Sequence, residues 1–393
     1  MKVALFTNAY LPYLSGITLS IKTLKDELRA RGHTVFIVGP KYPGHKEHDP
    51  QILRLPSLPA TYPGYRFVFP YSHKAFKLLK EKKIDIIHAH QPFGVGTAAR
   101  LLARRMKIPF VYSFHTLFSR YVHNVPFLPQ GIAKSLITAY LTSFCQKTDL
   151  VIVPSEMVRR LLVLRGVKRP IRVIPTGIVL QKIRERKGTG TQRMLIRKKY
   201  RLPEDAKLLL YSGRLSREKN VPFLLNACAK ILSREQDTYL LLIGGGPQEK
   251  ELRTLGKKLS NKIIFTGQIA HSEVIDHCFA SDIFVYASIT ETQGLVLTEA
   301  KACGLPVVAV FGGGVSDVVE SGIDGYLVPH KEGIFIDHVL RLLKNPQLRK
   351  GLSQKAVEDS HLRFSSVMVA KEIENVYNSL IEMKPLDRLG AKE

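Results

Sequence analysis

No stretch of this sequence approaches the roughly 20 consecutive apolar residues that a membrane-spanning helix needs. The longest runs, such as TYLLLIGGG, stop far short, so no spanning segment is expected. The first residues, MKVALFTNAYLPYLSG, have one lysine and a short apolar run, but aromatic, proline and asparagine residues stand where a small-residue cleavage site would lie; no signal peptide is expected. Cysteine is scarce: Cys145, Cys228, Cys278 and Cys303 are scattered, with no C-x-x-C pair. That spacing argues against a zinc site or a disulfide framework and suits a reducing cytosol. Also missing are a full G-x-G-x-x-G fingerprint, which removes support for a dinucleotide cofactor, and a D-x-D in a loop after a strand, so no metal ligand is expected.

Acidic residues are few as well. Against 59 Lys and Arg stand 33 Asp and Glu, a net charge of +26. The imbalance is uneven: residues 1–180 carry 27 basic and 8 acidic side chains, a net of +19, whereas the remainder nets +7. An excess confined to one half points to a polyanion met by that half, either nucleic acid or an anionic membrane surface, with solubility as the plainer alternative.

What is present is a long alternation of short β-branched runs and helical patterns, the signature of parallel sheets built from βαβ units. KVALFTNA, TVFIVGP, IDIIHAH, IPFVYSFH, DLVIVPS and IRVIPTG form a first series, and KLLLYSGRL, TYLLLIGGGP, KIIFTGQI, DIFVYAS, PVVAV and GYLVP a second. They are continuous apolar runs, as strands covered on both faces should be. At 393 residues the chain exceeds one comfortable core. The reading is two Rossmann-like, doubly wound α/β domains, 1–178 and 201–365, joined by a linker at 179–200 where QKIRERKGTGTQRMLIRKKY breaks the pattern. A final segment, 366–393, is expected to send its helix back to the first domain. Ligands of such sheets bind beyond the C-terminal strand ends, so two facing domains imply a site in a central cleft.

The chemistry-bearing residues all fall just after predicted strands. Ser15-Gly16 precedes a helix and either brings backbone N–H groups to a phosphate or makes an ordinary turn. YSGRLSREKN places Arg214 and Lys219 five residues apart beyond Gly213; two cations at a sheet end suit a pyrophosphate, the alternative being a solvated basic loop. The glycines of GGGP, Gly244 to Gly246, and of a second cluster, Gly312 to Gly314, either approach a ligand or pack backbone on backbone. His115 ends a strand and is either structural or part of the site. ETQGLVLTEA holds Glu291 in a loop and Glu299 on a helix opened by Gly294. Carboxylates do not bind phosphate, so these two would accept hydrogen bonds from sugar hydroxyls while the helix N-terminus faces a phosphate, or else stand as a loop residue and a dipole-favouring acid.

Taken together, Glu291 and Glu299 with seven residues between them, the GRLSREKN loop, the GGGP turn and the His115 strand end resemble, in order and over nearly the whole chain, the retaining nucleotide-sugar-dependent glycosyltransferases of the GT-B fold marked by an E-x7-E motif. Within them, FTNAYLPYLSGITLSIKTLKDELRARGH, TETQGLVLTEA and the basic first half look most like bacterial diacylglycerol glucosyltransferases, although many relatives have Gly-Gly where this chain has Ser15-Gly16. The resemblance implies a hexose, glucose from UDP-glucose, passed to a membrane lipid such as 1,2-diacylglycerol. His115, Arg214, Lys219 and Glu291 would be catalytic; Gly16, Gly213, Gly245, Gln293, Gly294, Leu295, Val296 and Glu299 would hold the donor. No cofactor and no metal are implied, and no obligate protein partner. The first domain would take the acceptor and the second the nucleotide-sugar.

For attachment to the membrane the sequence offers Lys74, Lys77 and Lys80 in FVFPYSHKAFKLLKEKKID, then Arg100, Arg104, Arg105, Arg120 and Lys134, the last two within the apolar and basic stretch after His115. The expected location is cytoplasmic, peripheral at the inner face of the cell membrane. The alternatives are a GDP-mannose enzyme acting on phosphatidylinositol, a nucleotide-sugar epimerase of the same fold, and a nucleic-acid binder. The last lacks aromatic residues interleaved with basic ones as a stacking platform, so no nucleic-acid partner is expected.

Overall fold

The computed structural model describes residues 1–60, 65–69, 73–118, 129–187 and 190–383, which fall into two units, divided between Gly177 and Ile178 and again between Ser365 and Ser366. The first unit is a seven-stranded sheet in which every neighbouring pair is parallel. Its strands are β1 (Lys2–Phe6), β2 (Thr34–Pro40), β3 (Ile52–Leu55), then, past a small antiparallel hairpin of β4 (Ser57–Pro59) and β5 (Arg66–Val68), β6 (Ile86–Ala89), β7 (Phe110–Ser113), β8 (Leu150–Val153) and β9 (Ile171–Val173). In space the order is β3-β2-β1-β6-β7-β8-β9, so the winding reverses between β1 and β6. Helices α1 (Gly16–Ala30), α2 (His73–Glu81), α3 (Val95–Met106), α4 (Gln130–Cys145) and α5 (Glu156–Leu164) connect the strands. The central strands β6, β7 and β8 are buried at every residue, which is why they read as unbroken apolar runs rather than alternating ones.

Local chemistry sets the helix ends. Ser15 stands in extended conformation before α1, and its hydroxyl accepts from the Thr18 N–H, satisfying one of the donors that a helix start leaves open. Ile21, Leu24 and Leu28 then line the buried face at helical spacing.

The second unit carries α6 (Leu180–Arg186), α7 (Thr191–Lys199), β10 (Lys207–Ser212), α8 (Val221–Arg234), β11 (Thr238–Ile243), α9 (Glu249–Leu259), β12 (Ile263–Gly267), α10 (His271–Ala280), β13 (Ile283–Tyr286), α11 (Leu295–Ala302), β14 (Val307–Val310), β15 (Gly325–Val328), α12 (Glu332–Lys344) and α13 (Pro346–Arg363). Its six parallel strands run β12-β11-β10-β13-β14-β15 and reverse between β10 and β13. The 179–200 stretch, read from the sequence as a linker, consists largely of α6 and α7 and belongs to this unit. Leu180, Ile183 and Ile196 enter its core. Arg197, only 2% exposed, donates to the carbonyls of Ala280 and Ala206, so this stretch is pinned to the unit by hydrogen bonds.

The last helix, α14 (Ser366–Glu382), packs on the first unit. Val369, Ala370, Ile373, Tyr377 and Leu380 form its buried stripe, Tyr377 meets His88 at 2.6 Å, and Glu374 takes His33 at 2.7 Å and Arg31.

One buried charge braces α11. Lys301 is fully enclosed, and its Nζ donates to Asp324 and Asp359 at 2.6 Å each and to the Val318 carbonyl. Lys301→Ala would leave the buried Asp324 without its cation and Asp359 with Arg363 alone, a change that costs about 3–5 kcal/mol when one side of a buried pair is removed. Urea unfolding should show that loss; a change below about 1 kcal/mol would mean that the network does not hold the helix.

Candidate active site

In the second unit the candidate residues gather at the C-terminal ends of β10 and β13, the two strands that flank the reversal, where open α/β sheets bind ligands. From β10 the chain enters Gly213 and half-buried Arg214, whose carbonyl accepts from the Tyr211 hydroxyl at 3.2 Å. A single 3-10 turn, Arg217–Lys219, then leads into α8. From β13 the chain runs through Ser288 to Glu291. The two loops are laced together: the hydroxyls of Ser288 and Thr290 both donate to the Glu218 carbonyl, at 3.1 and 3.3 Å.

At their junction Lys219 pairs with the Glu291 carboxylate. The Tyr286 hydroxyl donates to the same oxygen at 2.6 Å, and Lys219 Nζ lies 3.4 Å from that hydroxyl. Burial pushes the Glu291 carboxyl up. The Lys219 charge, with hydrogen bonds from Lys219, Tyr286 and Ser288, outweighs it and holds the group below the ordinary carboxylate range. The sequence points Lys219 to a diphosphate and Glu291 to sugar hydroxyls; the structure makes them one ion pair.

The glycine clusters can now be sorted. A Cβ on Gly244 would lie 1.9 Å from the Gly213 carbonyl oxygen, and one on Gly246 2.4 Å from that of Leu215, so these two are required by backbone packing. Gly245 has more room, with its nearest neighbour, a Glu249 carboxylate oxygen, at 3.3 Å. The second cluster supports the Glu291 loop from behind: the Gly314 N–H donates to the Glu291 carbonyl at 2.7 Å, and a Cβ on Gly314 would strike the Thr292 carbonyl oxygen at 2.0 Å.

Beyond Glu291 the loop holds Gln293, 3% exposed, and Gly294, left-handed at φ 95, which opens α11. Gly294 has no side chain with which to cap this helix, whose first turn carries the amides of Leu295 and Val296. Glu299, one turn further, is met by His271 Nε2 at 2.7 Å.

The first unit has its own cluster at the ends of β6 and β7. His90 Nδ1 lies 2.9 Å from His115 Nε2, with the rings stacked at 5.2 Å, and His88 bridges Ser113 Oγ at 2.8 Å and Tyr377. Burial, aided by His115, takes His88 down to about 3; burial alone takes His115 to about 4, and burial with both neighbours takes His90 well below its ordinary value. All three are neutral near pH 7 and act as hydrogen-bonding groups. With Ser20, Thr23 and Thr176, His90 and His115 line a narrow cleft. Gly16 is the first residue of α1 in this unit, its turn shaped by the Ser15 cap.

Of the surface cations, Lys74, Lys77 and Lys80 are exposed on α2, Arg104 and Arg105 on α3 with Arg100 half-exposed, and Lys134 on α4. Arg120 lies outside the described residues. Tyr286, Ser288, His271 and His90 were missed by sequence reasoning. A tyrosine closing a buried strand was the one available signal, because its hydroxyl needs a partner.

The family model "Glycosyl transferases group 1" matches residues 192–359, and "Glycosyltransferase Family 4" matches residues 14–182. The chain is 38% identical to an alpha-monoglucosyldiacylglycerol synthase of Streptococcus pneumoniae, over 79% of this chain and 71% of that protein. It is 28% identical to the synthase of that name from Acholeplasma laidlawii, over 97% of this chain and 98% of that one. In fold it matches HepE of Anabaena, solved with UDP and glucose, with a TM-score of 0.77 at 19% identity, covering 96% of this chain and all of that one. With two parallel-sheet units and two carboxylates separated by seven residues beyond the second reversal, the chain belongs to the group 1 glycosyltransferases of the GT-B fold.

Proposed function

We propose that the enzyme transfers glucose, with retention, from UDP-glucose to the free hydroxyl of 1,2-diacylglycerol, forming a monoglucosyl lipid. The observation that carries the donor half is the Lys219–Glu291–Tyr286 cluster beside Arg214 at the strand reversal. The acceptor is suggested by the names of the two synthases. As the bond from the sugar carbon to the diphosphate breaks, charge grows on the leaving phosphate. Arg214, Lys219 and the first turn of α11 at Gly294, Leu295 and Val296 supply positive potential there, with the loop at Gly16 as a further source of N–H dipoles. Protein groups then do the work a metal would otherwise do. Glu291 accepts from hydroxyls of the donor sugar, Gln293 and the turns at Gly213 and Gly245 border the diphosphate, and Glu299 takes the ribose. His115, being neutral, offers a hydrogen bond to the sugar near the reacting carbon. The acceptor oxygen attacks from the face the diphosphate leaves, and its proton passes to the leaving phosphate oxygen.

The acceptor is reached by peripheral attachment to an anionic membrane surface, cytoplasmic in orientation. Neither α3 nor α4 contains a carboxylate. On α4, Ile132, Leu136 and Tyr140 repeat every four residues and are all exposed, a stripe flanked by Lys134 and suited to a bilayer interface. The exposed cations of α2 and α3 add about 1 kcal/mol each near an anionic surface. No helix is long and apolar enough to cross the membrane among the described residues.

Mass spectrometry of vesicles of diacylglycerol and anionic phospholipid, incubated with enzyme, UDP-glucose and EDTA, should reveal a hexosyl-diacylglycerol. Product formed only from GDP-mannose and phosphatidylinositol would replace donor and acceptor, and conversion of the free nucleotide-sugar without an acceptor would mean an epimerase. In the productive assay, Arg214→Ala should slow turnover on the order of 100-fold, the scale for one lost donor to developing charge.

Flotation with the same vesicles should show binding that weakens when anionic lipid is omitted and again in Leu136→Asp. Binding indifferent to both changes would remove α4 and the basic surface from the membrane contact.

A further inference from the structure

Glu299 is held by a residue outside the E-x7-E motif. His271 is the first residue of α10, just beyond the end of β12, and reaches across to α11 with its Nε2 2.7 Å from Glu299 Oε1. The carboxylate is well covered, with 15% of its side chain exposed, while the imidazole is 54% exposed. The pair therefore has one enclosed partner and one at the rim. A glutamate on a helix keeps several rotamers, and a ligand that needs one of them must otherwise order the side chain itself. An imidazole N–H anchored on the neighbouring helix fixes one oxygen in advance, so that the carboxylate meets a ribose already oriented.

We infer that His271 is a positioning residue for the nucleotide-sugar: it holds Glu299 in the conformation that accepts the ribose hydroxyls, and its protonation makes donor affinity depend on pH. The inference rests on the reading of Glu299 as the ribose ligand.

The direction of the pH effect follows from the groups around the ring. Glu299 on α11 raises the His271 pKa above the ordinary 6.5, chiefly through the hydrogen bond and then through its charge; burial and Lys182 on α6 oppose it. On its own helix, Glu273 is engaged by Lys199 at 3.1 Å. A protonated imidazole makes the stronger, charge-assisted bond to the carboxylate. The hold on Glu299 is therefore firmest below the raised pKa and slackens as pH climbs through it. Donor affinity should fall in the same direction.

Calorimetric binding of UDP-glucose between pH 6 and 8.5 tests this, because the diphosphate diester does not titrate in that window. Wild type should bind more tightly at the acid end. His271→Ala should weaken binding about 5- to 10-fold at pH 6.5 and flatten the profile. His271→Gln, whose amide N–H can still donate to Glu299, should recover most of the affinity but not the slope. The 2′-deoxyribose analogue of UDP-glucose should lose less on His271→Ala than UDP-glucose does. An alanine variant that binds within twofold of wild type, or keeps the wild-type slope, overturns the role of His271. Glu299→Ala separates the two levels: unchanged affinity in that variant would overturn the ribose reading, whereas a large loss beside an unaffected His271→Ala would overturn the positioning role alone.

Discussion

A carboxylate placed where water is scarce stays ionised only if something compensates its lost hydration, and the second unit is organised around doing that for Glu291. Lys219 supplies the charge, and the Tyr286 hydroxyl adds a hydrogen bond to the same oxygen. The three groups come from different places: the loop after β10, the last residue of β13 and the loop beyond it. They meet because β10 and β13 are neighbours across the reversal. Parallel register brings their C-terminal ends to one edge, and the loops have no other place to go. The cation is consequently not a free point charge awaiting phosphate. Its field is partly spent on Glu291, and the departing diphosphate would draw on Arg214 and on the N–H groups of α11 as well.

That arrangement tolerates little movement, and the backbone supports it. Gly313 and Gly314 pass so close behind Glu291 and Thr292 that carbonyl oxygens occupy the space a side chain would need. Lys301, locked to Asp324 and Asp359, fixes the helix that carries Glu299. Two carboxylates eight positions apart are thus set by different means, one by a loop pressed against glycines and one by a helix anchored through a buried lysine.

The strands were legible because burial on both faces leaves an unmistakable apolar run, and the residues at their ends were legible because chemistry in such sheets collects there. Arg214, Lys219, Glu291 and Glu299 were found in this way. What was hidden depends on partners distant in sequence. His271 meets Glu299 across 28 positions and His90 meets His115 across 25, and no local pattern announces either pair. The 179–200 stretch misled for a related reason: it breaks the strand pattern, yet the carbonyls of Ala206 and Ala280 give Arg197 a buried destination that no local pattern reveals. The roles of Gly244 and Gly246 could not be separated from that of Gly245 until the carbonyls opposite them were known.

The two units also differ in where they keep their charge. The first carries most of the net positive charge, yet the described side chains lining its cleft, Ser20, Thr23, His90, Ser113, His115 and Thr176, are uncharged near neutral pH, the histidines because burial drives their protons off. The described cations of α2, α3 and α4 are not part of that lining, and the buried Lys25 of α1 is paired with Asp49 at 3.4 Å. The second unit differs in placing an ion pair at the centre of its site. A diphosphate is best matched by the second arrangement. Uncharged hydroxyls can be held by the first without separating buried ions, and a basic exterior around a neutral lining suits a molecule that draws an uncharged substrate from an anionic surface. In the proposed reaction, exterior cations would serve the surface from which the acceptor comes, and interior cations the group that leaves.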